Sequence, residues 1–147
     1  MERSSQPTVN IIILNYNGKS LLAECLPSIV DASHVSRYSC KVTVIDNVST
    51  DDSVVFLRAN FSNVHIVEVK ENLVLCSYND VLKSIKDDIV ILLNNDIKVE
   101  NDFVDPLVEV FKNKDVFMVC PKSYFFDGRY EGGRSYTFMK YGVFGTD

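Results

Sequence analysis

Glycine is scarce in most of this sequence. Five of the six glycines stand at position 128 or later, and only Gly18 precedes them. A dinucleotide-binding loop with the pattern GxGxxG uses its glycines to bring the backbone close to the phosphates, and nucleotidyltransferases use a glycine-rich basic loop. Gly18 alone supplies neither pattern, so the sequence argues against both kinds of loop.

Cysteine and positive charge are also limited. The four cysteines form no CxxC pair and the two histidines stand far apart, which argues against a zinc site and against a disulfide scaffold. We expect buried, reduced thiols. The formal net charge of −5 argues against a nucleic-acid partner, because binding to many phosphates needs a basic surface.

The sequence contains no hydrophobic run near the length of about 20 apolar residues that a membrane span requires. The first apolar run, residues 9–14, is also too short for the hydrophobic region of a signal peptide. The length of 147 residues fits one domain, 1–147. We therefore expect a cytoplasmic domain, with peripheral association at the inner face of the membrane as the open alternative. The sequence gives no indication of oligomeric state.

Apolar, strand-like runs alternate with helix-like segments along the chain. The predicted strands are 9–14, 41–46, 64–69, 88–94 and 116–120, and the predicted helices are 19–32, 51–60, 77–86 and 101–113. Strands that are apolar on both faces and alternate with helices are typical of a parallel sheet between two layers of helices. The predicted fold class is therefore α/β, with an open, mostly parallel, Rossmann-like sheet. The dipeptide Asp127-Gly128 predicts a C-terminal hairpin.

Polar residues follow the end of each of the first four predicted strands. In open α/β sheets, ligands bind at the carboxyl ends of the strands. Clusters of asparagine and aspartate at four such ends therefore predict a ligand site at this edge. The clusters are NYNG (15–18), DNVSTDD (46–52), KENLVLCSYN (70–79) and NND (94–96).

The first two clusters carry groups that suit a nucleoside. Tyr16 offers an aromatic ring and Asn17 an amide, which suit the face and the edge of a base. Asp46 can accept two hydrogen bonds, from a base N–H or from ribose hydroxyls. A helix-capping turn explains NYNG equally well, and caps also explain residues 49–52. Both interpretations stay open at this point.

The fourth cluster suits a divalent cation. Asp96 supplies one carboxylate, and Asn94 and Asn95 supply amides directly after an apolar strand. Magnesium and manganese prefer oxygen ligands and are commonly held by one or two carboxylates together with substrate phosphates. This cluster becomes an adequate site once a diphosphate supplies the remaining oxygens. Taken alone, it fits a polar turn before the next helix better.

In this order and spacing, the clusters resemble those of the glycosyltransferase family 2 enzymes, which have the GT-A fold. The resemblance spans about residues 8–125 and is specific in its combination, although each motif alone is common. The motifs that carry it are IIILNYNG (11–18), CLPS (25–28), VIDNVSTDDS (44–53), the Asn72 to Asn79 segment, ILLNNDIKV (91–99) and CPK (120–122).

The resemblance implies a role for the clusters that follow the first three strands. In that family the turn after the first strand and the aspartate after the second hold the nucleotide base. Tyr16, Asn17 and Asp46 take these positions here, and Asn72 is expected to contact the donor. A UDP-sugar or dTDP-sugar is the expected donor.

The resemblance also implies the chemistry at the fourth strand. Asn94 stands where the first aspartate of the family's D-x-D-like element often stands, Asn95 is expected to touch the ribose, and Asp96 is expected to bind Mg²⁺ or Mn²⁺. The implied reaction is an inverting, metal-dependent transfer of a sugar from a nucleoside diphosphate sugar to a saccharide or a lipid-linked acceptor.

The chain departs from the family in three places. One is Asp51-Asp52, which stands where the family often has aspartate-glycine. The segment ENLVLCSYND after the third strand has no glycine, whereas many relatives have a glycine-bearing loop there. The family's general base lies on the acceptor half, beyond the hairpin, and no residue here is assigned to it. We therefore expect a donor-binding portion, truncated before the acceptor-binding half, and the alternative is a nucleotide-sugar-binding module without turnover. A phosphate-receiver domain is excluded because NYNG, and not an acidic pair, follows the first strand.

Overall fold

The computed structural model describes residues 6–131 and the backbone of 137–140 and 143–146. Four strands are β1 (Thr8–Asn15), β2 (Ser39–Asp46), β3 (His65–Glu68) and β4 (Ile89–Asn94). Four helices are α1 (Lys19–Val35), α2 (Ser53–Asn60), α3 (Ser77–Leu82) and α4 (Val104–Val110), and a short 3₁₀ helix, Val74–Cys76, precedes α3. Two further strands, β5 (Thr137–Lys140) and β6 (Val143–Thr146), pair antiparallel with each other.

The first four strands form one parallel sheet in the order β3-β2-β1-β4. In this register Asn15 stands opposite Asp46, and Leu14 stands opposite Asn94. The carboxyl ends of β1, β2 and β4 are therefore level with one another. This confirms the predicted α/β class, and it places the polar clusters after these strands along a single edge.

Helices cover both faces of the sheet. Ile11 and Ile13 of β1 belong to the core on one face, while Ile12 belongs to the core on the other. This alternation follows from the two-residue period of a strand. The first face packs against α1, α2 and α4 through Leu22, Leu26, Ile29, Leu57, Val104 and Val108. The second packs against α3 through Tyr78 and Val81.

One predicted strand is absent and three helices are shorter than predicted. Residues 116–120 form no strand, and Phe117 is 94% exposed. An apolar run becomes a strand only when a neighbour pairs with it, and β4 pairs only with β1 among the described residues. The predicted helical residues 51–52, 83–86, 101–103 and 111–113 lie outside the observed helices.

The hairpin at Asp127-Gly128 is confirmed. Tyr124 and Tyr130 form an antiparallel bridge, and the amide of Phe125 donates to the carbonyl of Arg129 at 2.8 Å. Gly128 has φ of 84°, a left-handed conformation that favours glycine. The chain therefore reverses at this dipeptide, as the turn residues predict.

The cysteines are only partly as predicted. All four are free thiols, and Cys25 is buried. Cys76 and Cys120 are exposed, because the 3₁₀ helix and the segment 116–120 lie outside the core, so the prediction of burial is wrong for them. Over the described residues, no helix combines the length and the apolar character needed to cross a membrane.

Candidate functional site

A chain of side-chain hydrogen bonds links the ends of three neighbouring strands. Asn95, after β4, donates through Nδ2 to Oδ1 of Asn15 at 2.8 Å. Asn15, at the end of β1, donates through its own Nδ2 to Oδ1 of Asp46 at 3.1 Å. Asn15 is 0% exposed and Asp46 is 3% exposed. The predicted site residues Asp46 and Asn95 therefore belong to one connected network, with Asn15 at its centre.

Asp46 keeps acceptor capacity for a ligand although it is buried. Its Oδ1 accepts from Asn15, and its Oδ2 accepts from the amide of Ser49 at 2.9 Å. An ionised carboxylate offers about four acceptor positions. The network uses two of them, so a ligand donor that reaches Asp46 finds the carboxylate already fixed in place.

Asn47 extends the network to the loop after β3. Its side chain is 2% exposed, and its Nδ2 donates to Oδ1 of Asn72 at 2.7 Å. The hydroxyl of Ser77, at the start of α3, donates to Asn47 Oδ1 at 2.6 Å. Asn72 is thus held from the β2 end, while its own side chain is exposed at the edge.

Asn17 joins the first two loops to each other. Its Oδ1 accepts from the amides of Thr50 and Asp51 at 2.7 and 3.3 Å, and its own amide donates to Ser49 Oγ at 2.9 Å. The Asn17 side-chain oxygen therefore braces the loop after β2, and only its Nδ2 group is left to serve a ligand. The capping interpretation of NYNG does not hold for α1, because this turn supplies no side-chain cap and the amide of Lys19 bonds to Asp51 instead.

Asp51 caps the start of α1 from the neighbouring loop. Its Oδ2 accepts from the amide of Lys19 at 3.0 Å, and its Oδ1 accepts from the amide of Ser53, also at 3.0 Å. Burial of the carboxylate opposes ionisation, but the hydrogen bonds from Ser53 and Lys19 outweigh it and hold the pKa of Asp51 below its ordinary value. The loop after β2 therefore stabilises the start of α1 as well as the start of its own helix, α2.

The remaining predicted residues are exposed at this edge. Tyr16, Asn94 and Asp96 present their side chains to solvent. Across the described residues, no group of three or more histidine, cysteine, aspartate or glutamate side chains could hold a metal ion. The donor set of Asp96 with neighbouring amides therefore does not form a closed metal site. It fits a divalent cation that arrives with a diphosphate and keeps most of its ligands from phosphate and water.

Gly18 is required by the close approach of Asn95 and Asn15. A Cβ at this position would lie 2.1 Å from Asn95 Nδ2 and 2.5 Å from Asn15 Oδ1. Real Cβ atoms essentially never lie within 3.0 Å of another heavy atom in this way. The only glycine before the hairpin therefore serves the hydrogen-bond network and not a phosphate loop.

Replacing Gly18 with alanine is expected to break the bond between Asn95 and Asn15 and to lower the melting temperature by about 4 °C. Thermal unfolding followed by circular dichroism measures the change. In an Asn95→Ala background the same substitution should lower the melting temperature less, because the closer of the two colliding groups, Asn95 Nδ2, is gone and only the contact with Asn15 Oδ1 remains. Equal costs in both backgrounds would show that the collision is relieved elsewhere.

Sequence reasoning missed the centre of the network. Asn15 and Gly18 lie inside NYNG and Asn47 lies inside DNVSTDD, but the sequence patterns give none of these three residues a role. The available signal was an asparagine placed directly after the apolar run 11–14, where burial obliges its amide to find partners.

A cavity of about 660 Å³ opens at the other end of the sheet. Its central polar groups are paired with one another, since Asn10 Nδ2 donates to Asp87 Oδ2 at 3.0 Å and Lys41 lies 3.2 Å from the same carboxylate. Thr43 in turn donates to Asn10 Oδ1 at 2.9 Å. We place the candidate site at the carboxyl edge because exposed polar groups remain there beside a fixed carboxylate.

Solved structures share this fold. A mannosyltransferase from Pyrobaculum calidifontis, solved with GDP-Man and Mn²⁺, matches with a TM-score of 0.61 and 24% identity, over 74% of this chain and 32% of that one. The S. aureus protein TarS, residues 1–349, matches with a TM-score of 0.60 and 17% identity, over 71% of this chain and 32% of that one. The same TarS fragment has been solved with UDP-GlcNAc. The present chain thus spans about a third of the length of these structures.

A sequence profile of a protein family supports the structural match, although no curated protein matches the chain in sequence. The family profile described as Glycosyl transferase family 2 matches residues 10–145, which is nearly the whole chain. The parallel sheet, its covering helices and the solved neighbours identify the fold as GT-A. The chain belongs to glycosyl transferase family 2.

Proposed function

We propose that this chain binds a nucleoside diphosphate sugar and supplies the donor side of an inverting, metal-dependent glycosyltransferase. The observation that carries the proposal is the continuous hydrogen-bond network from Asn95 through Asn15 to Asp46. It fixes the loop that carries Asp96 next to the loops after β1 and β2. One ligand can therefore reach from Asp46, which accepts from its nucleoside, to Asp96, which binds its diphosphate-bound cation.

Within this proposal the nucleoside lies over the ends of β1, β2 and β3. Asp46 accepts from the base or the ribose, Tyr16 contributes an exposed ring, and Asn17 contributes its Nδ2 group. Asn72 reaches the donor from the loop after β3, where Asn47 orients its amide. Asn17 and Asn72 thus bind the ligand with side chains that the network already holds.

The diphosphate lies over the end of β4. Asp96 would hold the divalent cation, Asn94 would stand at the same strand end, and Asn95 would touch the ribose. When bound, the cation neutralises the charge of the nucleoside diphosphate leaving group. A solved neighbour contains both GDP-Man and Mn²⁺, and another contains UDP-GlcNAc, which supports this donor class. We propose a UDP- or dTDP-sugar here, with a saccharide or a lipid-linked molecule as acceptor.

A binding module without turnover is the second candidate. Inverting transfer needs a base that removes the proton from the acceptor hydroxyl, and no described residue is assigned to that task. The chain also matches only 32% of the length of its solved neighbours. Release of nucleoside diphosphate from a nucleotide sugar, with Mn²⁺ present, separates the two candidates, because a binding module releases none.

Replacing Asp96 with alanine is expected to abolish the metal-dependent part of nucleotide binding. We expect UDP with Mn²⁺ to raise the melting temperature of the unmodified chain more than UDP with EDTA does. Asp96→Ala should remove that difference and leave the EDTA value unchanged. Asp31→Ala, which removes an exposed carboxylate from α1, is the matched control. A Mn²⁺ effect that survives in Asp96→Ala would place the cation at other residues.

A further inference from the structure

Three loops at the carboxyl edge contain a residue other than glycine in the left-handed backbone region. These residues are Asn17 (φ 49°), Val48 (φ 64°) and Val74 (φ 54°), which follow β1, β2 and β3. Asparagine tolerates this region, but a β-branched side chain there is a true outlier, because its methyl groups crowd the backbone. Val48 and Val74 therefore carry backbone strain.

Hydrogen bonds on both sides keep Val48 in this conformation. The preceding amide, of Asn47, donates to the carbonyl of Asn15 at 2.8 Å. The following amide, of Ser49, donates to Asp46 Oδ2 at 2.9 Å. Both flanking residues are tied to the buried network, so Val48 cannot relax without breaking it.

Val74 is held in a similar way. Its amide donates to Asn72 Oδ1 at 2.9 Å, and its carbonyl accepts from Asn47 Nδ2 at 3.4 Å. Asn47 therefore contacts both strained loops, since it precedes Val48 in the sequence and bonds to Val74 through its side chain. Val48 follows Asn47 in the sequence, and Val74 bonds to the side chains of both Asn47 and Asn72.

Burial does not compensate for the strain at either valine. The side chain of Val48 is 42% exposed and that of Val74 is 67% exposed. Glycine would adopt both conformations without strain, and an exposed valine adds little to the core. Strained residues of this kind cluster at ligand-binding sites, where the surrounding structure holds them in place.

We propose that Val48 and Val74 are specificity-determining residues of the donor site, whose side chains form apolar walls against the nucleoside. The inference rests on the proposed function, because Asp46 and Asn72, which neighbour these valines, are the residues proposed to bind the nucleoside and donor. With valine and not glycine at these two positions, the space for the nucleoside is narrower, so the site favours a nucleoside that fits between the two side chains.

Valine-to-glycine substitutions at three positions test the proposal. Val48→Gly and Val74→Gly should each raise the melting temperature, by about 2–4 °C, because they relieve strain. Val55, on α2, is 67% exposed like Val74, so Val55→Gly is the matched control for Val74→Gly and should lower the melting temperature through loss of helix propensity. Opposite changes in melting temperature for Val74→Gly and Val55→Gly, whose side chains are equally exposed, would isolate the backbone effect.

Nucleotide affinity is measured on the same variants. UDP, dTDP and GDP are titrated into the full chain with Mn²⁺ by calorimetry. For the nucleotide that the unmodified chain binds best, we expect each of Val48→Gly and Val74→Gly to weaken binding about threefold to tenfold and to reduce discrimination among the three. Val55→Gly should leave the affinity unchanged. Val48→Ala keeps the Cβ and should weaken binding with less gain in stability.

The outcomes separate this inference from the function on which it rests. A lower melting temperature for Val48→Gly and Val74→Gly would overturn the strain argument. A higher melting temperature with unchanged affinity and unchanged discrimination would overturn the role as walls of the site, while the nucleotide site itself would stand. An unmodified chain that binds none of the three nucleotides would overturn the proposed function.

Discussion

Replacing Asn15 with alanine is expected to lower the free energy of unfolding by about 3 kcal/mol. Asn15 is 0% exposed and bonds to residues on both neighbouring strand ends. Without it, the buried carboxylate of Asp46 loses a donor, and Asn95 Nδ2 loses its acceptor. A buried charge that loses a partner costs more than the bond itself contributes, because water cannot replace that partner.

Urea unfolding at neutral pH measures this loss. Asn15→Leu fills most of the volume without restoring any hydrogen bond, so it should be nearly as destabilising as alanine if the polar contacts dominate. Asn101→Ala changes an exposed asparagine and should stay within about 0.5 kcal/mol of the unmodified chain. A loss below about 1 kcal/mol for both Asn15 variants would mean that water satisfies Asp46 in place of Asn15.

The sheet could be predicted from the sequence because its signals are local. Five of the six residues in 9–14 are apolar, and Val42, Val44 and Ile45 are the apolar residues of 41–46; these runs form the cores of β1 and β2. Residues 116–120 have the same apolar character but form no strand. Composition does not reveal whether a neighbour is available to pair, and pairing decides whether an apolar run becomes a strand.

The candidate site could be predicted only to the level of its edge. The predicted strand ends placed Asp46 and Asp96 at the same edge of the sheet, because the carboxyl ends of parallel strands meet at one edge. The network through Asn15 depends on the register between β1 and its neighbours, which no single segment encodes. The left-handed backbone of Val48 and Val74 was equally hidden, because valine ordinarily indicates extended structure.

Replacing Asp46 with asparagine is expected to weaken nucleotide binding at least about tenfold, whether or not metal is present. The variant keeps the shape of the side chain but loses the charge and one acceptor oxygen. Calorimetric titration of UDP in EDTA and in Mn²⁺ measures the effect, at temperatures where circular dichroism shows the variant folded. Asp31→Asn provides the exposed control on α1.

Combining Asp46→Asn with Asp96→Ala tests whether the two carboxylates bind different parts of the ligand. If Asp46 serves the nucleoside and Asp96 the diphosphate-bound cation, the loss from Asp46→Asn should be the same in EDTA and in Mn²⁺, and the two losses should add in the double variant. Asp46 is also tied to Asn95, beside Asp96, through Asn15, so a purely structural role predicts a different result. In that case Asp46→Asn alone would remove the Mn²⁺ effect, because the whole edge would lose its geometry, and adding Asp96→Ala would change nothing further.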